Sequence, residues 1–474
     1  MSENFLSQTD KLNSVDIDLT ADIHPLFLKA ALSIEKTLHE NGFEAFLVGG
    51  SVRDLLIKKK ISDLDYTTNA VPATIKKIFK KVIPVGEEFG TVIVLIGKTP
   101  IEITTYRTDG NYKDGRRPES ISFGKNLHED VMRRDFTING MAYSVTAKKL
   151  IDYTNGMHDL KARIISTIGD PIKRFEEDGL RPIRGCRIMS NLGFEMDPDT
   201  EAAIPKKLHI IAKVAPERFY DEWRKTLNLR AKDVYWNSLK KTGIFKLFFT
   251  EFENLNNNPD NWNDLLLAIQ HSRPGKMAVY IAHFFYFEWH SQDNIALDHS
   301  KTFDQFIKKF FRRNRFPSKT ETLCKDLLFS PLIPVFEKSV EISVENSHDT
   351  ILKNHQNNPI DKINFKKALS KIKQNNWFYH FRFSKEIILS KLRHEHKESI
   401  YTNIGQQTIS LLKTIIKNKE PIYLTDLAIS GHQLIDLGYK GKQIGEILAT
   451  LQSKVIEQPE LNEKGFLIET VKKI

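Results

Sequence analysis

Residues 46–70 read FLVGGSVRDLLIKKKISDLDYTTNA. An apolar strand over Glu44–Val48 runs into Gly49-Gly50, and a helix opens with Ser51-Val52-Arg53-Asp54. Further on, Asp63 and Asp65 stand one residue apart. In a strand, side chains two apart share a face, with roughly 7 Å between their Cα atoms. Two carboxylates held so close repel, and both stay ionised at neutral pH only with a cation between them. Glycine lets the backbone take positive φ and approach a ligand closely. The N-terminus of the next helix offers amides to phosphate, and Arg53 adds a forked donor. Oxygen-only ligands beside such a turn suggest Mg2+ holding a nucleoside triphosphate. The Gly-Lys-Ser/Thr of a P-loop is missing, so that mode of phosphate binding does not apply.

These residues resemble the nucleotidyltransferase superfamily that includes DNA polymerase beta. They are closer still to the bacterial class II tRNA nucleotidyltransferases (CCA-adding enzymes) and poly(A) polymerases. That branch joins a Gly-Gly-x-Val-Arg-Asp stretch to an Asp-x-Asp followed by Thr-Thr-Asn-Ala. Both are present without gaps, as Gly49–Asp54 and Asp63–Ala70. The resemblance implies an α+β fold: a polymerase-beta-like head with a small mixed sheet, then an all-helical neck, body and tail.

Composition sets the outer bounds. The 474 residues suffice for two to four domains. Hydrophobic residues make up 40% and charged ones 27%, as in globular proteins. Lysine and arginine number 70 against 60 acids, a net charge of +10 that suits a polyanionic partner. Two cysteines, Cys186 and Cys324, give neither a disulfide framework nor a cysteine zinc site. The polar start has no signal-peptide core and no run reaches membrane-span length, so the cytoplasm is the expected compartment. No membrane or protein partner is inferred.

Residues 1–22 read as a flexible leader and 23–150 as the head, with a helix over Pro25–His39 whose apolar face is Leu26, Ala30, Ile34 and Leu38. Pro72–Lys81 reads as a short basic helix, and Gly90–Gly97 and Pro100–Arg107 as two strands. Glu102 alternates with apolar neighbours on the second strand and is a candidate third carboxylate. Asp109–Phe123, with Arg116 and Arg117, has the composition of a mobile loop. The resemblance makes it the loop carried by CCA-adding and A-adding enzymes. Arg133-Arg134-Asp135-Phe-Thr-Ile-Asn139-Gly140 matches an element that the family uses to hold ribose. Gly140 stands where Ala is usual and should loosen a local helix slightly.

Residues 151–228 are expected as a neck with the base-selecting helix. Asp178, Arg181, Arg184 and Arg187 recur every third residue, which on a helix puts Asp178 and Arg187 on opposite sides. Cytosine and adenine each set an amino donor beside a ring-nitrogen acceptor. An Asp that accepts and an Arg that donates therefore fit C and A and reject U and G. The resemblance assigns this task to Asp178 and Arg181, with Glu177 orienting Arg181. Pro182 either starts the helix or kinks it. Arg218 and Glu222, at i and i+4, should pair along a bracing helix.

Residues 229–340 and 341–474 read as helical body and tail, the tail expected to bind tRNA, with a linker around 340–360. Phe303–Arg315 reads as a basic amphipathic helix. No His-Asp dyad with metal spacing is found, so no phosphatase activity is expected. At Gly438–Gly441 a glycine turn leads a helix that could meet backbone phosphate. The expected function is template-independent addition of CCA to tRNA from CTP and ATP. Asp63 and Asp65 would hold two Mg2+ with Glu102 in support. Gly49, Gly50, Arg53, Arg133, Arg134, Asp135, Asn139, Asp178, Arg181, Arg184 and Arg187 would bind nucleotide. The rivals are an A-adding enzyme or poly(A) polymerase, and a non-catalytic RNA-binding protein.

Overall fold

The computed structural model describes residues 6–109, 121–124, 126–271, 276–290, 301–348, 360–394 and 398–473. The chain divides into two compact units, Met1–Thr250 and Glu251–Ile474.

In the first unit, strands β1 (Ser14–Asp16), β2 (Ala45–Val48), β3 (Asp65–Thr68), β4 (Val82–Ile83), β5 (Thr91–Ile96) and β6 (Thr99–Thr105) precede a small hairpin of β7 (Arg107–Asp109) and β8 (Ile121–Phe123). Then come β9 (Met141–Ser144) and β10 (Lys149–Asp152). Eight of them form one sheet in the order β1-β10-β9-β2-β3-β6-β5-β4. The sheet is mixed, as expected, but wider than the small sheet inferred. β3 and β6 run parallel, with Asp65 opposite Glu102; the neighbours β2 and β5 are antiparallel to them.

Residues 7–22 are not a loose leader among the described residues. Ser7 caps the helix Gln8–Leu12 in a capping box, and β1 pairs with β10 through Val15 and Leu150. Buried Asp10 accepts from the Tyr153 hydroxyl. Position 150, the expected end of the head, falls inside β10.

The helix Pro25–Glu40 follows its periodicity, with Ala30, Ile34 and Leu38 buried against the sheet. Leu26 departs from it, at 65% exposure. Glu35 lies fully inside the same face. Its carboxylate accepts from the amides of Val145 and Thr146 and the hydroxyls of Thr146, Ser144 and Tyr66. These donors tie the helix to the turn after β9.

A second buried acid positions the site. Asp130, on the helix Leu127–Met132 and 0% exposed, bridges Arg133 at 2.5 Å and Arg134 at 2.8 Å. It also accepts from the Thr67 hydroxyl of β3. Burial alone would raise its pKa, but the two guanidinium charges reverse that and hold it at about 2.

After Asp152 the first unit is helical apart from the short parallel pair Ile164–Ile165 and Glu195–Met196. The helix Pro171–Glu177 stops at Asp178, which is extended (φ −146°, ψ 111°), and a new helix spans Leu180–Leu192. Pro182 thus sits in a first turn, where its missing amide costs nothing. Cys186 and Cys324 are buried and free.

All the regular elements described in the second unit are helices. Phe336, Phe365, Trp377 and Ile404 anchor one apolar cluster, and Leu434, Leu451, Leu467 and Val471 another. The helix Ile333–His348 runs through the first part of the stretch expected as a linker. Its amphipathic spacing outweighs the polar composition that suggested turns. No helix among the described residues is long and apolar enough to cross a membrane.

Glu35→Ala should destabilise the first unit by about 3 kcal/mol, because several buried donors lose their acceptor; a lowered urea midpoint would register it. Asp130 titrates lower in the fold than in the unfolded chain, so its contribution is present above the ordinary 3.8 and lost as pH falls toward about 2. Asp130→Asn should flatten the acid limb of the stability–pH curve across that window.

Candidate active site

The site gathers where β2 ends and β3 begins. Gly49 closes β2 with φ +72° and leads the short helix Gly50–Leu56. A Cβ at Gly49 would lie 3.7 Å from Arg134 Nη1 and 4.0 Å from Asp65 Oδ2. Glycine is therefore needed twice over, for its backbone angle and for the approach of these groups.

Asp65 is the first residue of β3, and Asp63 precedes the strand rather than lying in it. The backbone carbonyl of Asp63 instead accepts from the Ser51 hydroxyl at 3.2 Å. Buried Leu64 separates the two acids, and its carbonyl accepts from the Glu102 amide, bringing β6 alongside. Burial first, then the charges of Asp63 and Glu102, push the Asp65 pKa up to about 7; Arg134 and Arg184 pull the other way. Glu102 is raised too, by loss of solvent and by Asp63. Among the described residues no group of three or more His, Cys, Asp or Glu converges as a metal cage. The donor chemistry still fits Mg2+, which binds through one or two carboxylates and takes its other ligands from water and phosphate.

Several candidates point elsewhere. Arg53 is only 7% exposed and turns inward, to Asp54 at 2.7 Å and Asn139 at 2.7 Å. It braces the Thr137–Asn139 turn while its guanidinium packs under Gly50, where a Cβ would stand 3.4 Å from Nη2. Asp135 is also largely committed: it accepts from the Phe136 amide, from Asn139 and from Arg184 at 2.8 Å. Burial alone would raise its pKa, but Arg184 leads the interactions that bring it down to about 2. Arg133 and Arg134 both hold Asp130, yet Arg134 keeps Nη1 beside Gly49 and a buried Nε without a hydrogen-bond partner. Gly140 ends the turn at Thr137–Asn139 and loosens no helix. A Cβ there would stand 2.9 Å from both Ile168 Cδ1 and Thr154 Oγ1.

The residues expected to select the base are held by their own partners. Asp178 takes both terminal nitrogens of Arg218, at 3.2 and 2.8 Å. Arg181 donates to Glu177, to the Arg174 carbonyl and to the Arg133 carbonyl. Arg187 bridges Glu222 at 2.5 Å, and Lys225 meets the same carboxylate at 2.7 Å. The expected Arg218–Glu222 pair is therefore not made: Arg218 pairs with Asp178, just before the Leu180–Leu192 helix, and Glu222 with Arg187 on that helix. Sequence reasoning gave no role to Asp130, although Asp130-x-x-Arg133-Arg134 has the i, i+3, i+4 spacing of helical ion pairs. Arg116 and Arg117 lie outside the described residues.

Residues 45–166 match the family model of the Poly A polymerase head domain, and 193–255 that titled Probable RNA and SrmB-binding site of polymerase A. The CCA-adding enzyme of Bacillus pumilus is 44% identical over 200 residues, 42% of this chain and 50% of that one. That of Lactobacillus johnsonii is 46% identical over 201 residues, again 42% and 50%. The chain thus spans about half the length of these relatives in matched sequence. In fold, the Bacillus stearothermophilus CCA-adding enzyme in complex with CTP covers 95% of this chain and 99% of its own, with TM-score 0.66 and 24% identity. The Thermotoga maritima enzyme complexed with tRNA covers 97% and 99%, with TM-score 0.64 and 18% identity. The likeness to CCA-adding enzymes and poly(A) polymerases carried by the motifs therefore holds in sequence over the first half of the chain and in fold over nearly all of it.

Proposed function

We propose that this chain adds CCA to the 3′ end of tRNA, using CTP and ATP and no nucleic-acid template, in the cytoplasm. The observation that carries this reading is the placement of Asp65 at the start of β3 beside Glu102 in the middle of β6, with Asp63 just ahead of β3 and Arg134 and Arg184 acting on Asp65. Relatives matched over the head are named CCA-adding enzymes, which supports the choice of reaction.

Asp63 and Asp65 would hold two Mg2+, with Glu102 beside them. When bound, such ions lower the pKa of the RNA 3′-hydroxyl and neutralise the triphosphate and its pyrophosphate leaving group. Asp65, pushed to about 7 by burial and by Asp63 and Glu102, is the carboxylate whose charge a bound cation would most favour. Arg134, anchored by Asp130, reaches past Gly49 with Nη1 and offers a donor to phosphate or ribose oxygens. Arg184 adds positive charge on the same side and steadies Asp135.

Asp178 and Arg181 would choose the base. Both are engaged internally, so an incoming cytosine must take an Asp178 oxygen from Arg218. Uracil presents a carbonyl where that exchange needs an amino group, and so leaves the carboxylate facing an acceptor. The Glu177 contact limits how far Arg181 can swing. Arg53, Asn139 and Asp135 form the scaffold behind these groups. A second reading, AMP addition to RNA 3′ ends, is favoured by the match of 45–166 to a Poly A polymerase head domain.

Purified protein given tRNA lacking its CCA end should incorporate labelled CTP and then ATP. Incorporation of ATP alone, onto any RNA, would select the second reading. Asp63→Ala or Asp65→Ala should cost at least about 10³-fold in turnover, with tRNA affinity nearly unchanged in filter binding. Asp178→Ala should narrow the preference for CTP over UTP by roughly 10–100-fold, measured as the ratio of kcat/KM values.

A further inference from the structure

In the second unit two cavities, of about 700 and about 630 Å³, share a wall formed by Pro331 and Lys371. Each has the size of a ligand pocket, ~300–1,000 Å³. Phe303, Ile307 and Phe329 give the first an apolar lining, and Val335 and Ala368 do so for the second. Lys338, Lys371 and Lys373 stand exposed around them and make no ion pair among the described residues. The acids nearby are mostly spent: Asp304 is bridged by Lys308 and Lys325, each at 2.6 Å, and Asp361 caps its own helix. Asp326 stays as the counter-charge. His380, buried, also lines the first cavity, with Nδ1 against the Ser330 hydroxyl at 3.1 Å. Burial pushes its pKa down to about 4, so the ring is neutral and its other nitrogen is left for a ligand.

We propose that this groove holds two consecutive unstacked nucleotides of an RNA strand, one base in each cavity, with the linking phosphate against Lys371. The proposal rests on the reading of RNA as substrate. Apolar walls need an exposed base face, which a duplex hides and an unpaired strand offers. Free ammonium groups beside such walls are the pairing of stacking surface and backbone charge that single-strand sites use. A free mononucleotide would fill one cavity and leave the lysine on the shared wall without a bridging role.

The test titrates full-length protein with a labelled single-stranded hexaribonucleotide and with tRNA lacking CCA, across a salt series. Lys371→Ala should weaken both by about 3–10-fold and lower the slope of log affinity against log salt by about 0.7, the value of one lost contact to a single strand. Adding Lys338→Ala should remove a second such increment. Lys362→Ala, whose ammonium pairs with Glu420 at 2.7 Å, should change neither. Unchanged affinity and slope in the double variant would overturn the groove, as would failure of the wild type to bind the hexanucleotide. The readout needs no turnover. Protein that binds with the expected slopes but incorporates no nucleotide keeps the groove and sinks the proposed reaction; active protein with unaltered slopes does the reverse.

Discussion

The parallel pairing of β3 with β6 is the constraint to which the first unit answers. It sets Asp65 directly beside Glu102, with Asp63 two residues away. Like charges so placed, and partly withdrawn from water, cost free energy unless protons or cations relieve them. The raised pKa values of Asp65 and Glu102 are the trace of that cost. A fold selected for stability alone would place other residues there. The proposed reaction would supply that relief, because it would bring metal and polyphosphate to the spot.

The arginines near these acids are held on opposite terms. Asp130, Asp135, Asp178 and Glu222 each hold an arginine, and Asp130, Asp135 and Glu222 lie deep enough that losing the partner would leave a buried charge. The arginines are fixed in direction and few of their donors are idle. Arg134 is the clearest exception, with Nη1 at the glycine turn. Rigid pairing of this kind aims a donor, while one spare nitrogen leaves it something to give.

The local features were legible in the residues themselves. A glycine at the end of an apolar strand announced positive φ, and Pro182 announced either a helix start or a kink, of which the start is found. These depend on a few neighbouring atoms. The arginine partners were not legible, because Arg218 could choose between Glu222 on its own helix and Asp178 far away in sequence. The choice was made by packing of the Leu180–Leu192 helix, which no spacing rule encodes. The bond from Arg53 to Asn139 was not legible for the same reason: it depends on a turn 86 residues later in the chain. The first residues were misread because β1 has no strand signature of its own and exists only through β10. The helical start of the stretch expected as a linker, up to His348, was missed because composition was weighed over period, and 349–359 lie outside the described residues.

The outermost strands of the large sheet carry a consequence of their own. One margin is β1, three residues long, and the other is β4, two residues long. A foreign strand docking there would find too few free amides and carbonyls to zip up a lasting ladder. The sheet can therefore be eight strands wide, crowded with exposed polar backbone while it forms, and still resist stacking into fibrils with copies of itself.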